Sequence, residues 1–236
     1  MKITTKQLRG YSLGATILVV LLALYTPLTV LLSAIGKSWD GIWGSALQSA
    51  ALALCAGGLA TLFGATAALI LWEETPRRVK HMIESAVFVA ANIPSIIVAL
   101  AVLILLPDMP SYPRLLTAMV LSLTPYTARY ILEDLNTMPP YTVDAMRALG
   151  AGGIRSVLSG ILPYAKHSIP SALLYGCARA LTEIAVLSLL CGANDAFLPL
   201  RIIATPLSDT AFPAALMLCA LAMFLFDRAR SLHGRR

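Results

Sequence analysis

Residues 46–72 read ALQSAALALCAGGLATLFGATAALILW, an apolar run without a charged side chain. A transmembrane helix needs about 20 such residues. A soluble domain has no place for a longer run that lacks a polar face, so the run points to a bilayer as solvent. Five more apolar segments surround it, at about 13–35, 83–106, 115–132, 169–192 and 211–226. Together they predict an all-α polytopic membrane protein with six transmembrane helices, forming a single transmembrane domain over 1–236. Composition agrees: of 236 residues, 58% are hydrophobic and 13% charged, with mean hydropathy +0.78. Soluble domains average about 45–50% apolar and about 25% charged, so one core could not bury this much. The low charge excludes disorder as well. Lys2, Lys6 and Arg9 precede the first run as in a secretory leader. That run, however, exceeds the roughly 7–15 residues of a leader's apolar region, so it is expected to stay as a helix.

The net charge is +6. A basic balance can serve nucleic acid or a membrane surface, and the positions decide for the membrane. Of the 18 Lys and Arg, only Lys37, Arg114 and Arg201 fall in the loops on one side, and Arg179 falls within a span. The others share the opposite side with the N-terminus. Basic residues collect in the cytoplasm, so both termini are expected there. Cys55, Cys177, Cys191 and Cys219 all lie in apolar segments with no metal-ligand spacing, and are expected to act as buried hydrophobes.

The longest inner connection runs from about 133 to 168. Within it, residues 139–165 read PPYTVDAMRALGAGGIRSVLSGILPYA. Pro140 suits a helix start, Asp144 favours the positive N-terminal end, and Gly150 suits a C-cap. A second amphipathic helix is expected over about 154–162, ended by Pro163. Two short helices on the inner surface can be an interfacial anchor or a docking element for a cytoplasmic partner, and the residue pattern leaves both open.

This segment resembles the EAA loop of ABC importer permeases: EAA, three residues, Gly, nine residues, then I-x-LP. Asp144-Ala145-Met146 stands at EAA, followed by Arg147, and Gly150 at the Gly. Leu162-Pro163 matches LP, while Gly160 departs from the Ile. The resemblance covers about 45–226. It implies that the loop docks on separate ATP-binding ABC subunits, with a second permease subunit and an extracytoplasmic substrate-binding protein completing the importer in a bacterial inner membrane.

Residues 173–190 read LLYGCARALTEIAVLSLL and place Arg179 and Glu183 near the middle of the fifth span. A charge at that depth costs about 2.5–3.5 kcal/mol on insertion scales. At i, i+4 the two can pair, either as a self-satisfied structural pair or as the lining of a polar pathway. A guanidinium facing a cavity suits an oxyanion, whose oxygens it can bind in pairs. The stretch resembles the ARALGETAPLLL-like segment of phosphate permeases and the related ARALGEFGA-like segment of sulfate and molybdate permeases. Thr182 replaces the Gly, and Val186 stands at the phosphate type's Pro. Asn92-Ile93-Pro94-Ser95-Ile96-Ile97 resembles that type's IPSIV run, and Phe197-Leu198-Pro199-Leu200-Arg201-Ile202 its SLPLQIY-like outer loop. The resemblance implies phosphate, with other oxyanions as the alternative.

Pro94 and Pro125 lie inside spans and can kink them. Asn92 and Ser95 flank Pro94, so that break is either a packing kink or a polar patch beside Arg179. Gly57, Gly58 and Gly64 are expected to allow close helix packing. His81, His167 and His233 are expected to be solvated. There is no GxxxxGK[ST] or HExxH, so no catalysis, cofactor, metal or nucleic-acid partner is expected of this chain. A self-powered secondary transporter using Arg179 and Glu183 as a relay is the competing reading, ahead of a membrane-embedded enzyme or scaffold.

Overall fold

The structure is a computed structural model. It describes residues 25, 29, 39, 41–74, 77–139, 141–150, 160–191, 197–204 and 210–233. For 70–74, 77–81, 83, 143, 144, 146 and 147 it describes the backbone alone. Every element among the described residues is a helix: α1 Ile42–Glu74, α2 Arg77–Ala91, α3 Ser95–Leu105, α4 Ser111–Leu135, α5 Tyr141–Ala148, α6 Leu162–Tyr164, α7 Ser168–Leu181, α8 Ile184–Cys191, α9 Leu198–Ala204 and α10 Ala211–His233.

Three of these are long and apolar enough to cross a bilayer alone: Ile42–Leu69 of α1, α4 and α10. Two further crossings need bent pairs. Glu84–Ala91 meets Ser95–Leu105 at 90°, and Ser168–Leu181 meets Ile184–Cys191 at 51°. The expected spans at 83–106 and 169–192 are thus each broken in the middle. The expected span at 13–35 lies outside the described residues apart from Tyr25 and Thr29.

The two interior prolines behave differently. Pro125 stays within continuous α4. Pro94 takes φ −56° and ψ 129°, an extended conformation, and α3 starts afresh after it. The expected kink is therefore realised fully at one proline and leaves the helix unbroken at the other.

The core is built by small residues that let backbones touch. A Cβ added to Gly57 would lie 2.8 Å from the Cys177 amide nitrogen on α7. One added to Gly64 would collide with the Thr127 hydroxyl and the Ala128 backbone on α4. One added to Gly176 would meet Thr127 Cγ2 at 3.1 Å and Gly57 at 3.5 Å. Thr127 Oγ1 donates to the Ala60 carbonyl at 2.8 Å. In lipid, association depends on such close packing and on hydrogen bonds between helices. Gly58 has nothing within 4 Å of where its Cβ would be, so it does not share in this knot as expected. Nor are all four thiols buried: Cys177 is, whereas Cys55 and Cys219 are exposed on the apolar surface.

The hydrophobic core falls into two parts. Ala65, Ala68, Ile131, Leu132, Leu135, Ile161, Ala165 and Ala172 pack at the end where α4 stops and α7 begins, the loop end. The rest joins Ala53, Ala56, Ala60, Leu123, Leu181, Leu187 and Leu198.

Candidate translocation site and coupling loop

The two breaks in the bent pairs face each other. On one side α2 ends at Ala91, and Asn92 Nδ2 donates back to the Phe88 carbonyl at 2.7 Å, closing that helix end. Pro94 has no N–H to give, and Ser95 opens α3. On the other side α7 ends at Leu181, with Thr182 at φ −93° and ψ 2° as its C-cap. Thr182 Oγ1 donates to the Arg179 carbonyl at 3.0 Å, an acceptor that the Thr182 backbone N–H also reaches at 3.1 Å. Glu183 then lies between α7 and α8. It is buried, and Ser95 Oγ donates to its Oε1. Asn92 is exposed and bonded within its own helix, while Ser95, Thr182 and Glu183 come together at the junction.

The expected Arg179–Glu183 pair does not form. An i, i+4 contact requires a continuous helix, and the 51° bend falls between the two residues. Arg179 instead lays its guanidinium over the Tyr126 ring, with Cζ 4.8 Å from the centroid. This is a cation–π arrangement. Its Nε is buried with no hydrogen-bond partner among the described residues. The residue pattern alone does not single out Tyr126. Its signal was available, as a ring with a polar tip next to Pro125 in the fourth span.

The loop presents its expected first helix as α5, with Tyr141 at 70% exposed and Leu149 at 88%. Gly150 takes φ +82°, the left-handed C-cap that Gly suits best, and nothing lies within 4 Å of where its Cβ would be. Asp144, Ala145, Met146 and Arg147 all lie in α5, Ala145 being exposed; the side chains of the other three lie outside the described residues. The helix expected over about 154–162 falls mostly on 151–159, also outside them. Pro163 does not end a helix: it sits with Leu162 in α6, in a first turn where proline is tolerated. Fully buried Ile161 and Ala165 anchor the returning chain there.

The expected outer loop at 193–210 is partly helical. In α9, Leu198 N donates to Ser49 Oγ at 2.8 Å, and Arg201 Nη1 donates to the Gly41 carbonyl at 2.8 Å. Phe197, Leu198 and Leu200 are buried. Apolar spacing inside the stretch gives it a core face that a surface loop would not have.

Comparison with known proteins fits this architecture. The family profile described as "Binding-protein-dependent transport system inner membrane component" matches residues 60–236. The chain belongs to that family. It is therefore the permease component of an ABC importer, a membrane protein that works with an ATP-binding subunit and a substrate-binding protein. Among curated proteins no match is found. Among solved structures, the permease is similar to a chain of a bacterial ABC transporter that imports the acidic polysaccharide alginate. Identity is 17%, coverage 95% of each chain, and the TM-score 0.68. It is also similar to a chain of an amino acid ABC transporter with histidines, at 18% identity, covering 81% of this chain and 90% of that one, with TM-score 0.57. At these identities the likeness is one of fold.

Proposed function

We propose that this permease carries phosphate or a similar oxyanion inward by alternating access. The observation that carries the reading is Arg179. Its guanidinium is free of Glu183, rests on the Tyr126 face and lies one turn from the junction of two broken spans. A cation kept at membrane depth without a carboxylate on it remains available to an anion. Glu183, turned to Ser95, then borders the anion's route rather than neutralising its receptor. One structural neighbour imports alginate and the other is an amino acid ABC transporter. A fold shared by unlike cargoes leaves selection to local residues.

In this reading the chain crosses a bacterial inner membrane six times with both termini in the cytoplasm. Two permeases, this one and a related chain, enclose the route. α5, with Gly150 and the Leu162-Pro163 return, docks on the ATPase, whose closure switches the cavity from outward to inward access.

The test is uptake of radiolabelled phosphate in a strain deleted for the permease, competed with sulfate, molybdate and tungstate. Arg179→Ala is expected to abolish uptake while the complex still assembles. Full uptake by that variant would end the anion reading. Competition by sulfate or molybdate ahead of phosphate would move the cargo to the related oxyanions.

A further inference from the structure

Asp134 lies one residue before the end of α4 and is almost fully buried. Ser168, the first residue of α7 and fully buried, donates its hydroxyl to Asp134 Oδ2. His233, the last residue of α10, places Nε2 3.3 Å from Asp134 Oδ1. One carboxylate therefore ties three helix ends together. It does so where the chain leaves α4 for the coupling loop and where it returns into α7. An aromatic ladder backs the tie: His233 against Tyr130 at 4.8 Å, Tyr130 stacked on Tyr175 at 5.3 Å, and Tyr175 edge-on to Phe226 at 5.6 Å. These rings also come from α4, α7 and α10.

A loop anchored only by its two peptide connections would absorb a push by flexing. Here Asp134 and Ser168 pin both roots to one point, so displacement of the loop must move α4, α7 and α10 together. α7 leads onward to Arg179, the break at Thr182 and the Ser95–Glu183 contact. A contiguous chain of packed and hydrogen-bonded groups thus runs from loop to mid-membrane junction, the physical form that coupling between distant sites takes.

We propose that Asp134, Ser168 and His233 are positioning residues that bolt the loop roots to α10 and transmit ATPase movement to the α7–α8 break. This rests on the docking role proposed above for α5. The bolt enlists the end of α10, far from the loop in sequence, as part of the transmission.

The experiment uses the full permease in the assembled transporter, reconstituted in vesicles, and a cargo-independent probe. A cysteine at exposed Ser188 on α8, with the native cysteines replaced, reports thiol labelling rates in nucleotide-free and vanadate-trapped states. With the native bolt the two rates differ. In Asp134→Asn and His233→Ala the ATPase stays bound and hydrolyses ATP, while the ratio of rates falls at least about fivefold. His233→Gln keeps a donor and restores the ratio. His233 is partly exposed, so its variants test the bolt even if Asp134→Asn fails to assemble. A wild-type ratio in assembled His233→Ala overturns the proposal, as does the absence of any ATP-driven change with the bolt intact. Failure of the docking reading looks different: Gly150→Arg would then leave ATPase binding untouched.

Discussion

At the scale of single residues, the glycines separate packing from mere presence. Gly57→Ala forces a methyl to within 2.8 Å of the α7 backbone and the Cys177 sulfur. Overpacking of this kind costs about 1–3 kcal/mol. Its neighbour Gly58 faces open space, and Gly58→Ala is expected to be neutral or to stabilise by about 0.5–1 kcal/mol through helix propensity. Thermal unfolding in detergent would check the pair, and equal effects from both would refute the knot at Gly57. The sequence showed that this span had room for close contact, but not which glycine makes it, because two adjacent glycines point about 100° apart on a helix. Arg179 was legible as a charge at depth. Its partner was not, since i, i+4 pairing presupposes an unbroken helix and Thr182 carries none of the warning a proline gives. His233 is expected to be solvated because its surroundings in sequence are polar; it stays partly exposed, and Asp134, distant in sequence, engages its Nε2.

At the scale of elements, α5 is an exposed short helix closed by a left-handed glycine. Eight residues are too few to be stable as an isolated helix, so its shape depends on its caps and on what it meets. Replacing Gly150 by Arg imposes an unfavourable φ, costing about 1–2 kcal/mol, and puts bulk on the exposed face. Asp144→Lys reverses the charge at the helix start. Both are expected to reduce co-purification of the ATPase while the permease still inserts, and undiminished recovery would count against docking. The loop motif announced this element plainly, since its chemistry is local: a helix start, a glycine stop and a proline return. The bends in the third and fifth spans were only half announced. Pro94 marked one. The other lies beside a tertiary contact, where Ser95 reaches across to Glu183.

At the scale of the molecule, the chain leaves much apolar surface uncovered, with Leu47, Leu54, Leu105 and Ile104 each well over half exposed. Such a surface suits a lipid environment, and the second permease proposed above would cover part of it. The number and sidedness of spans can be read by labelling with an impermeant maleimide in a background lacking native cysteines. Asp108→Cys, in the turn between α3 and α4, is expected to react from outside the inner membrane. Leu149→Cys is expected to react only after permeabilisation. Labelling of Leu149→Cys in sealed cells would invert the topology and remove the docking role with it. The distribution of basic residues predicts sidedness because that is a statistical property of whole loops, and this labelling is its test. The depth of α9 was not, because its burial depends on Ser49 and Gly41, far away along the chain.

The contact of Gly57 with Gly176 lies near the middle of both α1 and the α7–α8 crossing. Rods cinched at the waist cannot spread at both ends; like the blades of scissors, they widen one mouth only by narrowing the other. In the alternating-access cycle proposed above, a backbone-to-backbone joint at this height would serve as the pivot that lets one mouth open only as the other closes.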